Sequence, residues 1–142
     1  MSLFNQLSLS PGMGAFDQGF LNLGAAIPVG TAVAVDTVNF IGNGATANQV
    51  CIVALGVTGN AAIGIAMETI PANGAGRVRC FGPLAAGPSD GAIVAGAIVD
   101  GSATAGRTFK SHAAGKFQMG IALSAAADTD QVLVLMCAAN NA

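Results

Sequence analysis

The sequence predicts an all-β protein: a small β-sandwich or barrel built from two tandem β-repeats behind an extended N-terminal arm. Three observations carry that prediction. Short apolar runs alternate with Gly, Pro, Asn and Asp turn formers at a spacing of roughly 8–12 residues, as in sandwiches and barrels. No amphipathic helical period of ordinary length is present. Several of the apolar runs also occur twice, in the same order.

The strands are read in chain order as follows. Residues 31–36 (TAVAVD) are rich in β-branched side chains and end in a polar turn. Residues 38–41 stop at Gly42-Asn43-Gly44, residues 50–57 at Thr58-Gly59-Asn60, and residues 63–69 at Pro71-Ala72-Asn73-Gly74. Residues 77–81 (RVRCF) alternate polar and apolar, the mark of a half-buried strand. Residues 93–100 run into Asp100-Gly101. Residues 108–112 and 117–123 flank Ala113-Ala114-Gly115-Lys116, which reads as a hairpin turn. Residues 131–137 (QVLVLMC) are apolar on both faces and need cover on both, from a second sheet or from another subunit. Ala125, Ala126 and Ala127 suit one short helical turn.

The doubled runs define the repeat. AVAVD at 32–36 matches AIVD at 97–100, and GIAM at 64–67 matches GIAL at 120–123. RVRC at 77–80 matches VLMC at 134–137. Neither half is large enough to bury a core alone, so the two are expected to pack together. The expected organisation is an arm over residues 1–26 and a β domain over residues 27–142, with repeats at 27–85 and 86–142. The arm is turn-rich but carries large apolar side chains, including Leu3, Phe4, Phe16 and Phe20. Such a segment cannot bury them itself. It either docks on another protein or folds back on its own domain.

Composition narrows the function. Charged residues are 8% of the 142, against about 25% in ordinary domains, and Trp and Tyr are absent. A surface so poor in charge is expected to be hidden in subunit contacts. The net charge of −2 argues against nucleic-acid binding. The five basic residues (Arg77, Arg79, Arg107, Lys110 and Lys116) read as solvated strand positions or as a small patch facing an acidic partner. Three cysteines without a CxxC spell neither a disulfide framework nor a zinc site, and buried free thiols fit a reducing cytoplasm. Residues 1–6 lack the basic and apolar regions of a secretory signal. The stretch 50–67 approaches membrane-span length, but Thr58-Gly59-Asn60 interrupts it, and it reads as two strands and a turn.

No catalytic, cofactor or metal residue is assigned. His112 is the single neutral-pH base and lies in an alternating strand, where a surface side chain is expected. Asp128-Thr129-Asp130 lacks the rest of a calcium loop. Gly12-Met13-Gly14 and Gly42-Asn43-Gly44 are turn chemistry, with no phosphate-binding motif. A Cys-dependent hydrolase would have to pair Cys51 or Cys137 with His112.

Longer motifs then point to a family. IPVGTAVAVD at 27–36, IGIAMET at 63–69 and GRVRCFG at 76–82 form a first pass. AGAIVD at 95–100, AAGKFQMGIAL at 113–123 and the closing apolar strand form a second. Over residues 27–137 the chain resembles the small head-decoration, or capsid-cement, proteins of tailed bacteriophages. That resemblance implies a β-rich homotrimer on the capsid exterior, made in the host cytoplasm and bracing the major capsid protein. It implies no cofactor, no nucleic acid, no membrane and no small-molecule substrate. A short head fibre or tail component is the alternative. The residues expected at protein interfaces are Leu3, Phe4, Phe16, Phe20, Val132 and Val134.

Overall fold

A computed structural model describes residues 16–39, 50–57, 61–114 and 118–139. Nine strands are found among them: β1 (Phe16–Asn22), β2 (Ala32–Val35), β3 (Ile52–Ala54), β4 (Ala62–Ala66), β5 (Gly74–Asp90), β6 (Ile98–Gly101), β7 (Phe109–Ser111), β8 (Gln118–Ala122) and β9 (Gln131–Ala139). One 3-10 turn, Leu55–Val57, follows β3. The all-β prediction holds, and the architecture is a barrel. Among the described residues no helix is long and apolar enough to cross a membrane.

The unusual element is β5. It is 17 residues long, against about 5–6 for a typical strand, and it serves two sheets. Its first half pairs antiparallel with β1 on one side and β4 on the other. Its second half pairs antiparallel with β9 and parallel with β7. The second set closes: β5, β7, β6, β8 and β9 form a five-stranded ring. The first set runs β1, β5, β4, β2 and β3, and a parallel bridge between Leu21 and Cys51 joins its ends.

The two rings match strand for strand. Val33 opposes Gly64 in the first, and Val99 opposes Gly120 in the second. Ala66 opposes Val78, and Ala122 opposes Val134. An isolated bridge Ile27–Ile70 recurs as Ile93–Ala126. Asn73 and Thr129, the two non-glycine residues at positive φ among the described residues, occupy the same turn before β5 and before β9. Buried Asn22 donates to the Pro71 carbonyl, and buried Ser89 donates to the Ala127 carbonyl, so even the polar ties correspond.

Each ring has its own interior. Ile27, Val33, Ile52, Ala66, Ile70 and Val78 fill the first. Ile93, Val99, Phe109, Ala122, Val132, Val134 and Met136 fill the second. Two further residues, Ala32 and Ile65, belong to the second cluster although they come from β2 and β4 of the first ring. They alternate with Val33 and Ala66, which point into their own ring, so they face outward. The outer flank of ring one is therefore packed against ring two.

Several expectations change. Residues 16–22, expected in the arm, form β1 along the first half of β5, because Phe20 and Leu21 find cover within the protein's own ring. The hairpin expected at residues 113–116 is not a pairing of its flanking strands: β6 lies between β7 and β8. The short helical turn expected at Ala125–Ala127 is extended chain, and Ala126 bridges Ile93. Residues 38–39 form a bend, and residues 40–41 lie outside the described residues. The repeat register also differs from the motif match. Asp36 Oδ1 accepts the Val38 N–H, and Ser102 Oγ accepts the Thr104 N–H, so Asp36 corresponds to Ser102 and not to Asp100.

Gly64 and Gly120 stand at equivalent places where neighbouring strands approach closely. A Cβ on Gly64 would meet the Arg79 carbonyl oxygen, and one on Gly120 the Leu135 carbonyl oxygen. Backbone cannot yield as a flexible side chain can. Gly64→Ala and Gly120→Ala are each expected to lower unfolding stability by about 1–3 kcal/mol, the usual cost of overpacking. Gly19, with open space at its Cβ, is the control: Gly19→Ala is expected to stay within about 0.5 kcal/mol of the parent by denaturant unfolding.

Candidate interaction surface

The flank of ring two that corresponds to the covered flank of ring one is bare. Ile98 opposes Ile121, and Ile121 opposes Leu135, so three large apolar side chains line up across β6, β8 and β9. Leu123 follows on, its N–H donating to the Leu133 carbonyl at 2.7 Å. Ile98 and Ile121 are each 37% exposed and Leu123 is 49% exposed. Their counterparts Ala32 and Ile65 are 0% and 1% exposed. Met67, the counterpart of Leu123, packs against the second core. The same strand positions are thus covered once and open once.

The residues expected at interfaces are dispersed. Leu3 and Phe4 lie outside the described residues. Phe16 begins β1, its backbone opposite Phe81. Phe20 is half-buried against the first core. Val132 and Val134 point into ring two and are fully buried, which removes them as interface residues. The cover that β9 needs on this face comes from its own barrel. The outward residue of the same strand, Leu135, is the exposed one. Ile98, Ile121 and Leu123 were not singled out from the sequence, because an apolar run read as a buried strand conceals which alternate residues face out.

Charge is spent within the chain. Arg79 Nε and Nη2 donate to Asp17 at 2.8 and 3.2 Å, a two-pronged pair between facing positions on β5 and β1. Arg77 pairs with Glu68 at 3.6 Å and Arg107 with Asp128 at 3.4 Å. Lys110 lies close enough to Asp90 to favour its ionised form. Lys116 lies outside the described residues. The three arginines of the basic patch considered from sequence thus sit in separate ion pairs.

His112 is half-buried, not a surface side chain: its Nδ1 is 2.7 Å from Oδ1 of buried Asp100, whose Oδ2 accepts the Ala113 N–H. The thiols a hydrolase would need are elsewhere. Cys51 is in ring one, and Cys137 is on β9, which does not pair with β7. Burial, with Asp17 adding to it, pushes the Cys80 thiol above its ordinary pKa, the opposite of an activated nucleophile.

A family profile described as phage cement protein matches residues 42–137, more than half of the chain. The chain belongs to the phage cement protein family. It is a structural protein of the virion head. Among solved structures, the chain is similar to the head fiber gp8.5 N base of bacteriophage phi29, at 12% identity and a TM-score of 0.56. That likeness covers 89% of this chain and 98% of the other, and it is a likeness of fold. No curated protein matches the chain.

The acid side of the stability curve should report two capped carboxylates. The backbone N–H groups of Asn39 and Val38 and the Asn39 side chain hold Asp36 below the usual aspartate value of 3.8, against the opposing effect of burial. The Ser102 and Thr104 hydroxyls, with Arg107 and Lys110, do the same for Asp90. A depressed carboxylate pKa stabilises the fold fully above the unfolded-state value, and that contribution fades as pH falls from there through the folded value. Unfolding stability is expected to drop as pH falls below about 4. Asp36→Asn and Asp90→Asn should each make denaturant midpoints less steeply dependent on pH in that range.

Proposed function

We propose that the chain is a non-enzymatic capsid cement: a homotrimer that binds the outside of the phage head and braces neighbouring copies of the major capsid protein. The observation that carries this reading is the bare apolar flank of ring two on a chain of the cement family. Three further features support it. Charges are few, and Arg77, Arg79 and Arg107 each pair with a carboxylate of the same chain, so the outer surface is suited to broad contact with protein. The single histidine, next to the end of β7, is tied to Asp100, and β7 does not pair with the Cys137 strand. Attachment repeated around a symmetry axis makes the summed hold much tighter than any one contact.

Residues 1–15 act as the attachment arm, with Leu3 and Phe4 as anchors; burying each contributes roughly 1.5–3 kcal/mol. Residues 16–22 have a different job, because they form a strand of ring one. Deleting residues 1–15 is therefore expected to leave melting near that of the parent and to reduce occupancy on particles. Deleting residues 1–24 removes β1 and should destabilise the whole protein. Full occupancy and undiminished heat resistance of particles carrying the 16–142 protein would place attachment on the rings alone.

Purified protein added to heads that lack it should bind to saturation and raise the temperature at which they release their genome. His112→Ala should leave both properties intact. Loss of head stabilisation in a well-folded His112→Ala protein would contradict a purely structural role.

A second reading, the base of a short head fibre, is supported by the similarity of fold to the gp8.5 base. Images of decorated heads separate the two. A cement lies flat on the shell, whereas a fibre base carries density projecting outward.

A further inference from the structure

The two rings of one chain already show how this module is covered. The outer flank of ring one, at Ala32, Ala62, Ile65 and Met67, packs against ring two. The seat on ring two is made by the end of β6 and the start of β8. A Cβ on Gly101 would stand 2.9 Å from Ala32 Cβ and 3.3 Å from Ala62 Cβ, and its other close neighbour would be the Met119 sulfur. Thr108 Oγ1 donates to the Gly30 carbonyl at 2.8 Å and pins the two rings at the edge of this contact. One ring thus offers a flank and the other an open end, two different surfaces.

Ring two repeats the flank at Ile98, Ile121 and Leu123, and all three are exposed among the described residues. Ring one repeats the open end. Val35 stands where Gly101 does, opposite Ile52 as Gly101 is opposite Phe109, and it is 38% exposed. Ile63, at the place of Met119 beside its ring's close-approach glycine, is half-buried. Among the described residues each chain therefore carries an exposed apolar flank on ring two and, at Val35, an exposed apolar side chain at the equivalent end of ring one.

We infer that the bare flank of the second ring is the docking surface for the first ring of a second copy of the chain, joined head to tail. The inference rests on the oligomeric reading above and adds the surfaces to it. The partner is argued from the internal contact, where the equivalent flank is covered by the same kind of ring through its open end. The side chains fit an apolar seat on both sides. They are larger than at the internal contact, Ile98 for Ala32 and Val35 for Gly101, so the second copy sits farther out than ring two sits from ring one. Contacts between unlike surfaces close into a ring when the rotation per copy is right, and a three-copy ring leaves no flank bare.

The test uses two variants of the full chain, each with one damaged surface. Ile121→Glu places a charge on the flank, and Val35→Glu places one at the open end. Melting curves near that of the parent establish folding, with Leu123→Glu and Val35→Lys as substitutes if either fails. Light-scattering mass is expected to be three chains for the parent and one chain for each variant alone. An equimolar mixture should show two chains, because each variant keeps the surface the other has lost. A parent trimer that Ile121→Glu leaves intact would overturn the docking surface while the trimer stands. Variants that are monomeric alone and stay monomeric when mixed would overturn the head-to-tail arrangement. A monomeric parent would remove both the trimer and this inference.

Discussion

Everything in this protein depends on β5 belonging to two barrels at once. Its 17 residues carry the antiparallel partners of ring one in the first half and those of ring two in the second. Gly82, at φ 99°, sits where the pairing passes from β1 to β9, a backbone position that a residue with a Cβ rarely adopts. Because one strand threads both rings, displacing β5 as a whole strips backbone partners from both. The packing enforces the same unity. Ala32 and Ile65 come from ring one but are buried with the core of ring two. The rings are two by hydrogen bonding and are joined by the burial of Ala32 and Ile65.

Placing a module against its own copy has a consequence at the ends. An internal contact between unlike surfaces uses one flank and one open end and leaves the other flank and the other open end without cover. In a chain with few charges, whose three arginines are paired internally, exposed Ile98, Ile121 and Leu123 are the main apolar departure from a neutral surface on that face. Cement function asks for such a surface: no chemistry, little long-range electrostatics, and contact that becomes strong through repetition.

The sequence disclosed the elements more readily than their partners. Strands over residues 31–36, 63–69, 77–81 and 131–137 were legible because each is a short apolar run bounded by turn formers. Register was not. With a side-chain period of two, one residue of slip exchanges the faces, and stretches of Gly, Ala and Val give little to fix it. That is why RVRC at 77–80 was matched one residue out of step, whereas the ladders align Val78 with Val134 and Cys80 with Met136. It is also why Val132 and Val134 are expected at an interface from the sequence, whereas the exposed residues are Leu135, Ile121 and Ile98. Residues 113–116 carry good turn chemistry, but β6, the strand before β7 in the chain, intervenes between the strands on either side. Local signals cannot reveal a third strand between two neighbours.

The most direct measurement is a density map of heads bearing this protein, resolved well enough to follow side chains. The account predicts copies arranged around a threefold axis on the outer surface, with Ile98, Ile121 and Leu123 of each copy buried against Val35 and its surroundings in the next. A map in which that flank faces solvent, or in which the protein is absent from the outer surface of the shell, would contradict it.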